Sequence, residues 1–187
     1  MHFREIDFRR DWLDELFRAL TAAIDNISER IKKDDYFDET FALEHLETIL
    51  GIAFIAAQTY IAGTVADINA ILGKSKQLKR DQLLALDVVF IKNGTTRLEL
   101  IDAIANYHKH HDEWETWQPK GRNQRTINIL NECGITEETE FPCYSAATLL
   151  WPETKLGEFR YLLSVLVDWR ERVFRKYRPG TGITKPG

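Results

Sequence analysis

Hydrophobic residues recur at helical spacing along most of the chain. In residues 11–33 they alternate steps of three and four, with charged residues between them, which predicts an amphipathic helix. The residues predicted to face the core are Leu13, Leu16, Leu20, Ile24, Ile27 and Ile31. A stripe of this kind needs other helices to cover it, so the first element already favours a helical bundle.

The stretch from Thr40 to Leu72 is apolar almost all round, which predicts a long central helix with neighbours on several sides. A narrow sector of this helix holds its polar and small exceptions: Glu44, Glu47, Gly51, Gln58 and Asn69. This strip is predicted to line a cleft. Residues 48–66 are long enough to span a bilayer, but their threonines, their glutamine and the lack of flanking Lys and Arg favour a buried helix. No membrane is expected as a partner.

Local signals mark the start of the next long helix. Asn93 and Gly94 form a turn pair, and Thr96 followed by Glu99 fits a capping box, so a helix is predicted to begin directly after Thr96. The apolar run of residues 83–91 fits either a helix or a strand. This part of the chain therefore predicts a connector followed by a sharply defined helix start.

Three more helices complete the pattern. They are predicted over residues 121–134, ended by a glycine, over residues 145–152, ended by a proline, and over residues 157–177. Because strand patterns are nearly absent, we predict an all-α fold, a helical bundle around one long buried central helix. The whole of residues 1–177 is expected to form a single helical domain, and residues 178–187 a flexible C-terminal tail.

Composition narrows the class of protein. A chain of 187 residues buries roughly two-thirds of its unfolded surface, so folding needs neither a metal nor a disulfide. A net charge of −4 argues against a protein that coats nucleic acid, and the basic residues from Arg160 onward, Arg170 among them, are predicted to form a solvated helix face. Cys133 and Cys143 lack zinc-site spacing, and the charged N-terminus does not fit a signal peptide, so we expect a cytoplasmic protein with reduced thiols.

The stretch NYHKHHDEW, which begins at Asn106, concentrates the candidate chemistry. On a helical wheel His111 falls in the middle of the apolar face, with His108 and Glu115 close to it. Asn106 and Asp102 fall on the opposite, polar side. Buried polar groups need partners, so the inward histidines are either hydrogen-bonded core residues or functional groups.

Metal binding is one interpretation of the cluster. His108, His111 and Glu115 lie on successive turns, and Glu44 and Glu47 of the central helix add two carboxylates. The Glu-x-x-His signature of di-iron bundles is absent from both helices. We therefore predict no metal and no cofactor, and keep a metal-binding bundle as the third hypothesis.

Proton transfer without a metal is the leading interpretation. A helical histidine beside a cation can act as general acid or base on a ribose 2′-hydroxyl. The long helices and the hexapeptide NYHKHH resemble HEPN-type domains, whose members include metal-independent RNases of toxin–antitoxin and defence systems with an Arg-x4-6-His motif on a late helix. Asn106 and His111 match that spacing, with Asn in place of Arg. The stretch also looks like the ANYxKHxDEW segment of uncharacterised bacterial proteins, which implies no activity.

The resemblance assigns roles to particular residues. It implies that His111 transfers the proton and that Asn106 and His108 orient the reacting groups, while Arg97 or a residue of a second subunit supplies the missing positive charge. It also implies RNA as the substrate and a cognate antitoxin or other protein as a partner. The predicted substrate-binding residues are Tyr107, Trp114 and Glu115.

A non-enzymatic interaction protein is the main alternative. In that case the histidines satisfy a polar core, with His111 bonded to a carbonyl or to Tyr60 or Tyr107, and the apolar helices form a homodimer. Cleavage of RNA in the presence of a chelator separates the two hypotheses.

Overall fold

The computed structural model describes residues 7–33, 39–114, 116–118, 120–151, 155 and 157–177. The predicted tail, residues 178–187, lies outside the described residues. The described residues form seven α-helices and one two-stranded hairpin, which confirms the predicted all-α bundle. The helices are α1 (Phe8–Lys33), α2 (Glu39–Leu72), α3 (Arg80–Leu84), α4 (Arg97–His110), α5 (Gln124–Glu132), α6 (Pro142–Leu150) and α7 (Arg160–Tyr177). The strands are β1 (Phe90–Lys92) and β2 (Thr95–Thr96).

α1 confirms the predicted amphipathic helix but buries a slightly different face. Leu13, Phe17 and Leu20 are buried, and Phe17 is only 1% exposed. Leu16 and Ile31, both predicted to face the core, are 39% and 42% exposed. The apolar residues of α1 cover more of its circumference than one core stripe, so spacing alone does not decide which of two adjacent stripes faces inward.

α2 is the central helix, and it packs against α1, α4, α6 and α7. Among the described helices it is the one long and apolar enough to cross a membrane by length and composition. Half of the residues in its most apolar stretch are buried by the other helices. That burial is typical of the core helix of a bundle. The remaining residues are half-buried or exposed, and Ile52, Thr59 and Ala62 are among the exposed ones.

The hairpin between α3 and α4 settles the ambiguous run of residues 83–91. α3 takes the first residues of that run and β1 takes the last ones. Asn93 has a φ of 50° and Gly94 a φ of 86°, as a tight turn with two left-handed residues requires. The predicted turn pair is therefore confirmed, and it returns the chain to β2.

Capping interactions fix the start of α4 and the C-terminal end of α5 where the sequence predicts them. The hydroxyl of Thr96 accepts a hydrogen bond from the amide of Glu99 at 3.2 Å, and the Glu99 carboxylate accepts one from the amide of Thr96 at 3.0 Å. At the end of α5, Gly134 has a φ of 83°, and the amide of Ile135 donates to the carbonyl of Leu130 at 2.9 Å. Both predicted boundaries are confirmed.

α7 closes the bundle, and one of its basic residues is buried rather than solvated as predicted. Arg170 is 5% exposed and donates to the hydroxyl of Thr64 and to the carboxylate of Asp67, each at 2.9 Å. Its Nε lies 3.3 Å from a carboxylate oxygen of Asp7. The charge run after residue 160 therefore contains a buried ion-pair centre that joins α7 to α2. The carboxylates of Asp67 in α2 and of Asp7, directly before α1, offset the cost of burying the cation.

Candidate functional site

The histidine cluster lies where α4 ends. The helix stops at His110, whose φ of −131° leaves the helical region, and residues 111–113 continue as a 3₁₀ turn. The chain then reverses, and Trp114 and Trp117 pack back against Tyr107. The predicted helix therefore ends one residue before His111.

An open cleft of about 190 Å³ lies beside this turn. Its lining residues are Tyr107, His111, Trp114, Thr116, Trp117 and Glu137. The three aromatic rings meet edge to face, with centroids 5.7 Å apart for Tyr107 and Trp114, 5.4 Å for Tyr107 and Trp117, and 6.1 Å for the two tryptophans. The indole Nε1 of Trp117 donates to Asn131 of α5 at 2.9 Å, which ties the aromatic wall to the bundle.

His111 lies at the rim of this cleft. Its ring stacks on Tyr107 with centroids 4.9 Å apart, its side chain is 40% exposed, and its Nε2 is 3.1 Å from a carboxylate oxygen of Asp112. The prediction that His111 occupies the middle of a buried face is wrong, because the α-helix does not continue to it. The cleft does bring His111 together with Tyr107 and Trp114, whereas Glu115 lies outside the described residues.

His108 packs beneath His111, against the central helix. A Cβ atom on Gly51 would come within 2.3 Å of the His108 ring, so only glycine allows this approach. The ring centroid is 6.3 Å from that of His111, and Nδ1 is 3.7 Å from the sulfur of Cys143. Burial lowers the pKa of His108, and the negative charge of Glu47 opposes this shift. His108 is thus predominantly neutral at neutral pH.

Cys143 and His108 form the kind of contact that activates cysteine nucleophiles in other proteins. Here the carboxylate of Glu47 accepts hydrogen bonds from the backbone amides of Cys143 and Tyr144, at 2.7 and 2.8 Å. Burial, and then the charge of Glu47, raises the pKa of the Cys143 thiol. The side chain is fully buried. Cys143 is therefore a core residue whose thiol stays protonated.

The strip of polar and small residues along α2 is a packed seam rather than the predicted cleft. Glu47 binds the first amides of α6, Gly51 lies against His108, and Gln58 is hydrogen-bonded to α4. Glu44 is exposed at the surface. Among the residues that the structure describes, no three His, Cys, Asp or Glu side chains converge where a metal ion could be held.

The polar side of α4, on which the helical wheel places Asp102 and Asn106, is a buried network. Asp102 is 3% exposed and forms an ion pair with Arg80 of α3, and Arg125 of α5 lies 3.6 Å from its other oxygen. The side-chain amide of Gln58 donates to Asp102 at 2.8 Å. The network is buried because cations from two distant segments reach the same carboxylate.

Two predicted catalytic residues do not reach the cleft. The side-chain oxygen of Asn106 accepts a hydrogen bond from Gln58 at 2.9 Å, so Asn106 belongs to the polar network and points away from the cleft. Arg97 lies at the other end of α4, about 20 Å from His111 by helical rise. Its guanidinium is paired with Asp87 through two hydrogen bonds of 3.2 and 2.9 Å. Within one chain, neither side chain can assist His111.

A second cleft, of about 420 Å³, opens between the start of α4 and α5. Its charged residues already have partners within the bundle. Arg125 lies 2.8 Å from Asp81 and 3.7 Å from Glu99, and Glu132 accepts a hydrogen bond from Thr95 at 2.9 Å. These groups hold α3, α4 and α5 together, so the aromatic cleft is the stronger candidate for chemistry.

Three residues of the cleft were not predicted as site residues from the sequence: Glu137, Thr116 and Trp117. Glu137 comes from the loop between α5 and α6 and lines the same cleft as His111. It is one of three glutamates in an irregular segment, and no periodicity or capping signal distinguishes it from Glu138 and Glu140. Comparison of the chain with protein-family models, with curated proteins and with solved structures gave no match.

Proposed function

We propose that the protein is a metal-independent ribonuclease of HEPN-like type, which acts on unpaired RNA in the aromatic cleft as part of a toxin–antitoxin or defence system. The observation that carries this proposal is the shared lining of one open cleft by an exposed imidazole, a carboxylate and three aromatic rings. Aromatic side chains are the usual platforms for unpaired bases, because every base can stack on them. His111 and Glu137 supply proton-transfer groups beside that platform.

The chemistry follows from these two groups. One of them accepts the proton of the ribose 2′-hydroxyl while its oxygen attacks the adjacent phosphorus. The bond from phosphorus to the 5′-oxygen breaks, and the other group returns a proton to that oxygen, which leaves a 2′,3′-cyclic phosphate and a 5′-hydroxyl. We assign the 2′-hydroxyl proton to the Glu137 carboxylate and the protonation of the leaving oxygen to the exposed ring of His111. Asp112 orients the His111 ring.

The departure from the HEPN pattern is specific. The family's arginine position holds Asn106, which is bound to α2, and Arg97 is bound to Asp87. In the described lining of the cleft, His111 is the group that can carry positive charge toward the phosphate. We therefore expect slower cleavage than an arginine-assisted site would give, and a strong dependence on His111.

RNA cleavage by the purified protein in EDTA tests the proposal. Loss of His111 as His111→Ala is expected to lower the rate about 10²- to 10⁴-fold, the usual contribution of a general acid or base. His110→Ala is the matched control, because His110 is the next histidine, is exposed and lies outside the cleft lining. Glu137→Gln beside Glu138→Gln tests the carboxylate in the same way. Equal activity of His111→Ala and wild type would refute the proposal.

A non-enzymatic interaction protein is the second candidate, and a different observation favours it. Phe8 and Trp12, one helical turn apart on α1, are 68% and 74% exposed. Exposed aromatic side chains at helical spacing are typical of a surface that binds another protein. Absence of cleavage by any variant, together with stable self-association, would favour this function.

A further inference from the structure

The outer side of α1 carries an apolar stripe that the core does not use. Phe8, Trp12 and Leu16 follow one another at four-residue steps, and they are 68%, 74% and 39% exposed. An aromatic side chain has roughly 150–250 Å² of surface, so the first two alone expose on the order of 300 Å². That is already within the range of the largest apolar patch on a typical monomer, several hundred Å².

α2 extends this surface with a strip of smaller residues. Ile52, Thr59, Ala62 and Ala66 are exposed on its side between α1 and α4. The side chain of Arg9 lies over Gly63, so the start of α1 is beside the second half of α2 and the two helices are antiparallel. The stripe and the strip are therefore adjacent.

The heights of these residues along the bundle also match. Leu16 is seven residues beyond Arg9, on the same side of α1, and so borders α2. The two helices are antiparallel and have the same rise per residue, so positions later than Arg9 in α1 lie beside positions earlier than Gly63 in α2. Trp12 therefore lies nearly level with Thr59 along the bundle axis. The large side chains of one helix thus lie beside the small side chains of the other.

We propose that this α1–α2 face binds a second copy of the chain through a two-fold axis parallel to the helices. Such an axis places α1 of each copy on α2 of the other, so that Trp12 and Phe8 pack onto Thr59, Ala62 and Ala66 of the second copy. Large residues then meet small ones across the interface in both directions. A symmetric pair of this kind covers both patches at once.

Charges at the two edges of the face favour the same arrangement. Glu15 is exposed on the α1 edge, away from α2. Lys109 is exposed on the α4 edge and donates to Gln58 at 2.5 Å, which places it nearly level with Glu15. The two-fold axis brings the acidic edge of each copy to the basic edge of the other.

The area of this face is comparable with that of a standard dimer interface. From Ile52 to Ala66 the face extends over 15 residues of α2, or roughly 22 Å, and over two helix widths, or roughly 20 Å. Its projected area is on the order of 500 Å², and accessible surface exceeds projected area. A standard interface buries about 800 Å² on each partner.

Molecular mass in solution, measured by light scattering, is the test. Wild type is expected to be a dimer, and Trp12→Glu a folded monomer, because Trp12 is mostly exposed and its replacement leaves the core intact. Val88→Glu is the control: Val88 is 66% exposed but lies in the connector before the hairpin, away from this face. Monomeric wild type, or dimeric Trp12→Glu, would overturn the proposal. If wild type is monomeric and binds phosphatidylcholine vesicles through Trp12, the proposal is also overturned, and the partner of this face is a lipid surface.

Mixing two charge variants tests the orientation. Glu15→Lys makes both edges basic and Lys109→Glu makes both acidic, so each variant alone is expected to dissociate more than wild type at low salt. An equimolar mixture of the two is expected to regain the dimer as a heterodimer, detected with a tag on one chain. A mixture that stays as dissociated as its components would refute the parallel arrangement.

Discussion

Replacement of Gly51 by alanine tests the closest approach between the central helix and the histidine helix. The added Cβ would meet the His108 ring at 2.3 Å, far inside van der Waals contact. The ring must therefore move, and its route is outward to water because His108 is only half-buried. Gly63 provides a matched control within the same helix, because its added Cβ would also meet a side chain at 2.3 Å, namely that of Arg9.

The two substitutions differ in what has to move. Alanine in place of a helical glycine stabilises by about 1 kcal/mol at either position. At Gly51 the overpacked ring costs about 1–3 kcal/mol, so we expect the free energy of unfolding to fall by up to about 2 kcal/mol. At Gly63 the exposed side chain of Arg9 changes rotamer and loses a surface ion pair with Asp67 worth about 0–1 kcal/mol. We therefore expect the free energy of unfolding of Gly63→Ala to rise by up to about 1 kcal/mol.

Urea denaturation of both variants and of Gly51→Ala/His108→Ala measures these energies. In the His108→Ala background the obstacle is gone, so Gly51→Ala is expected to stabilise instead of destabilising, with a coupling energy of at least about 1 kcal/mol. NMR titration gives an independent readout, because an expelled ring regains an ordinary histidine pKa. Equal stability changes at Gly51 and Gly63, with no coupling to His108, would show that the two helices are not in this contact.

Three further predictions follow from groups held in place by burial. Arg97→Ala leaves the fully buried carboxylate of Asp87 without its cation, so we expect the free energy of unfolding in urea to fall by about 3–5 kcal/mol. RNA cleavage by the folded fraction is expected to be unchanged, and a selective loss of cleavage would contradict the position of Arg97 away from the cleft. Burial lowers the pKa of His108 in the folded state, so below about pH 6.5 the unfolded chain binds a proton at this site more readily than the folded chain. The free energy of unfolding is therefore expected to decline as the pH falls below about 6.5. His108→Phe should remove that part of the slope and His110→Ala should keep it; equal slopes in both variants would assign the effect elsewhere. Thr96→Ala removes the cap of α4 and is expected to cost about 0.5–2 kcal/mol by thermal unfolding, whereas a neutral effect would mean that the capping box contributes nothing in solution.

Features that depend on a few neighbouring residues could be predicted from the sequence. The turn at Asn93 and Gly94 and the capping box of Thr96 and Glu99 are local, because their hydrogen bonds join residues close together in the chain. The long apolar run of α2 likewise predicts a central helix whatever surrounds it. These signals account for the fold class, for the start of α4 and for the extent of α2.

Features that depend on distant residues could not. The helical wheel placed Asp102 on the polar side of α4, but no residue near it in sequence indicates that Arg80 and Arg125 are its partners. His111 was predicted to be buried because the helical wheel assumed that the α-helix continues through this residue, whereas α4 ends at His110. Glu137 joins the cleft through a loop with no periodicity, so only the three-dimensional arrangement identifies it.

The carboxylate of Glu47 has a consequence for the order in which the chain folds. α6 has no side-chain cap of its own, and the two free amides at its start are bound by a residue 96 or 97 positions earlier. A nine-residue helix without a local cap is marginal by itself, so α6 gains its N-terminal hydrogen bonds only when α2 is already in place. We therefore expect α6 to form late in folding, after α2 is in place, whereas α4, which carries its own start signal, can form early. The contact between His108 and Cys143 is then expected to form last, because it depends on a helix whose start is bound by Glu47.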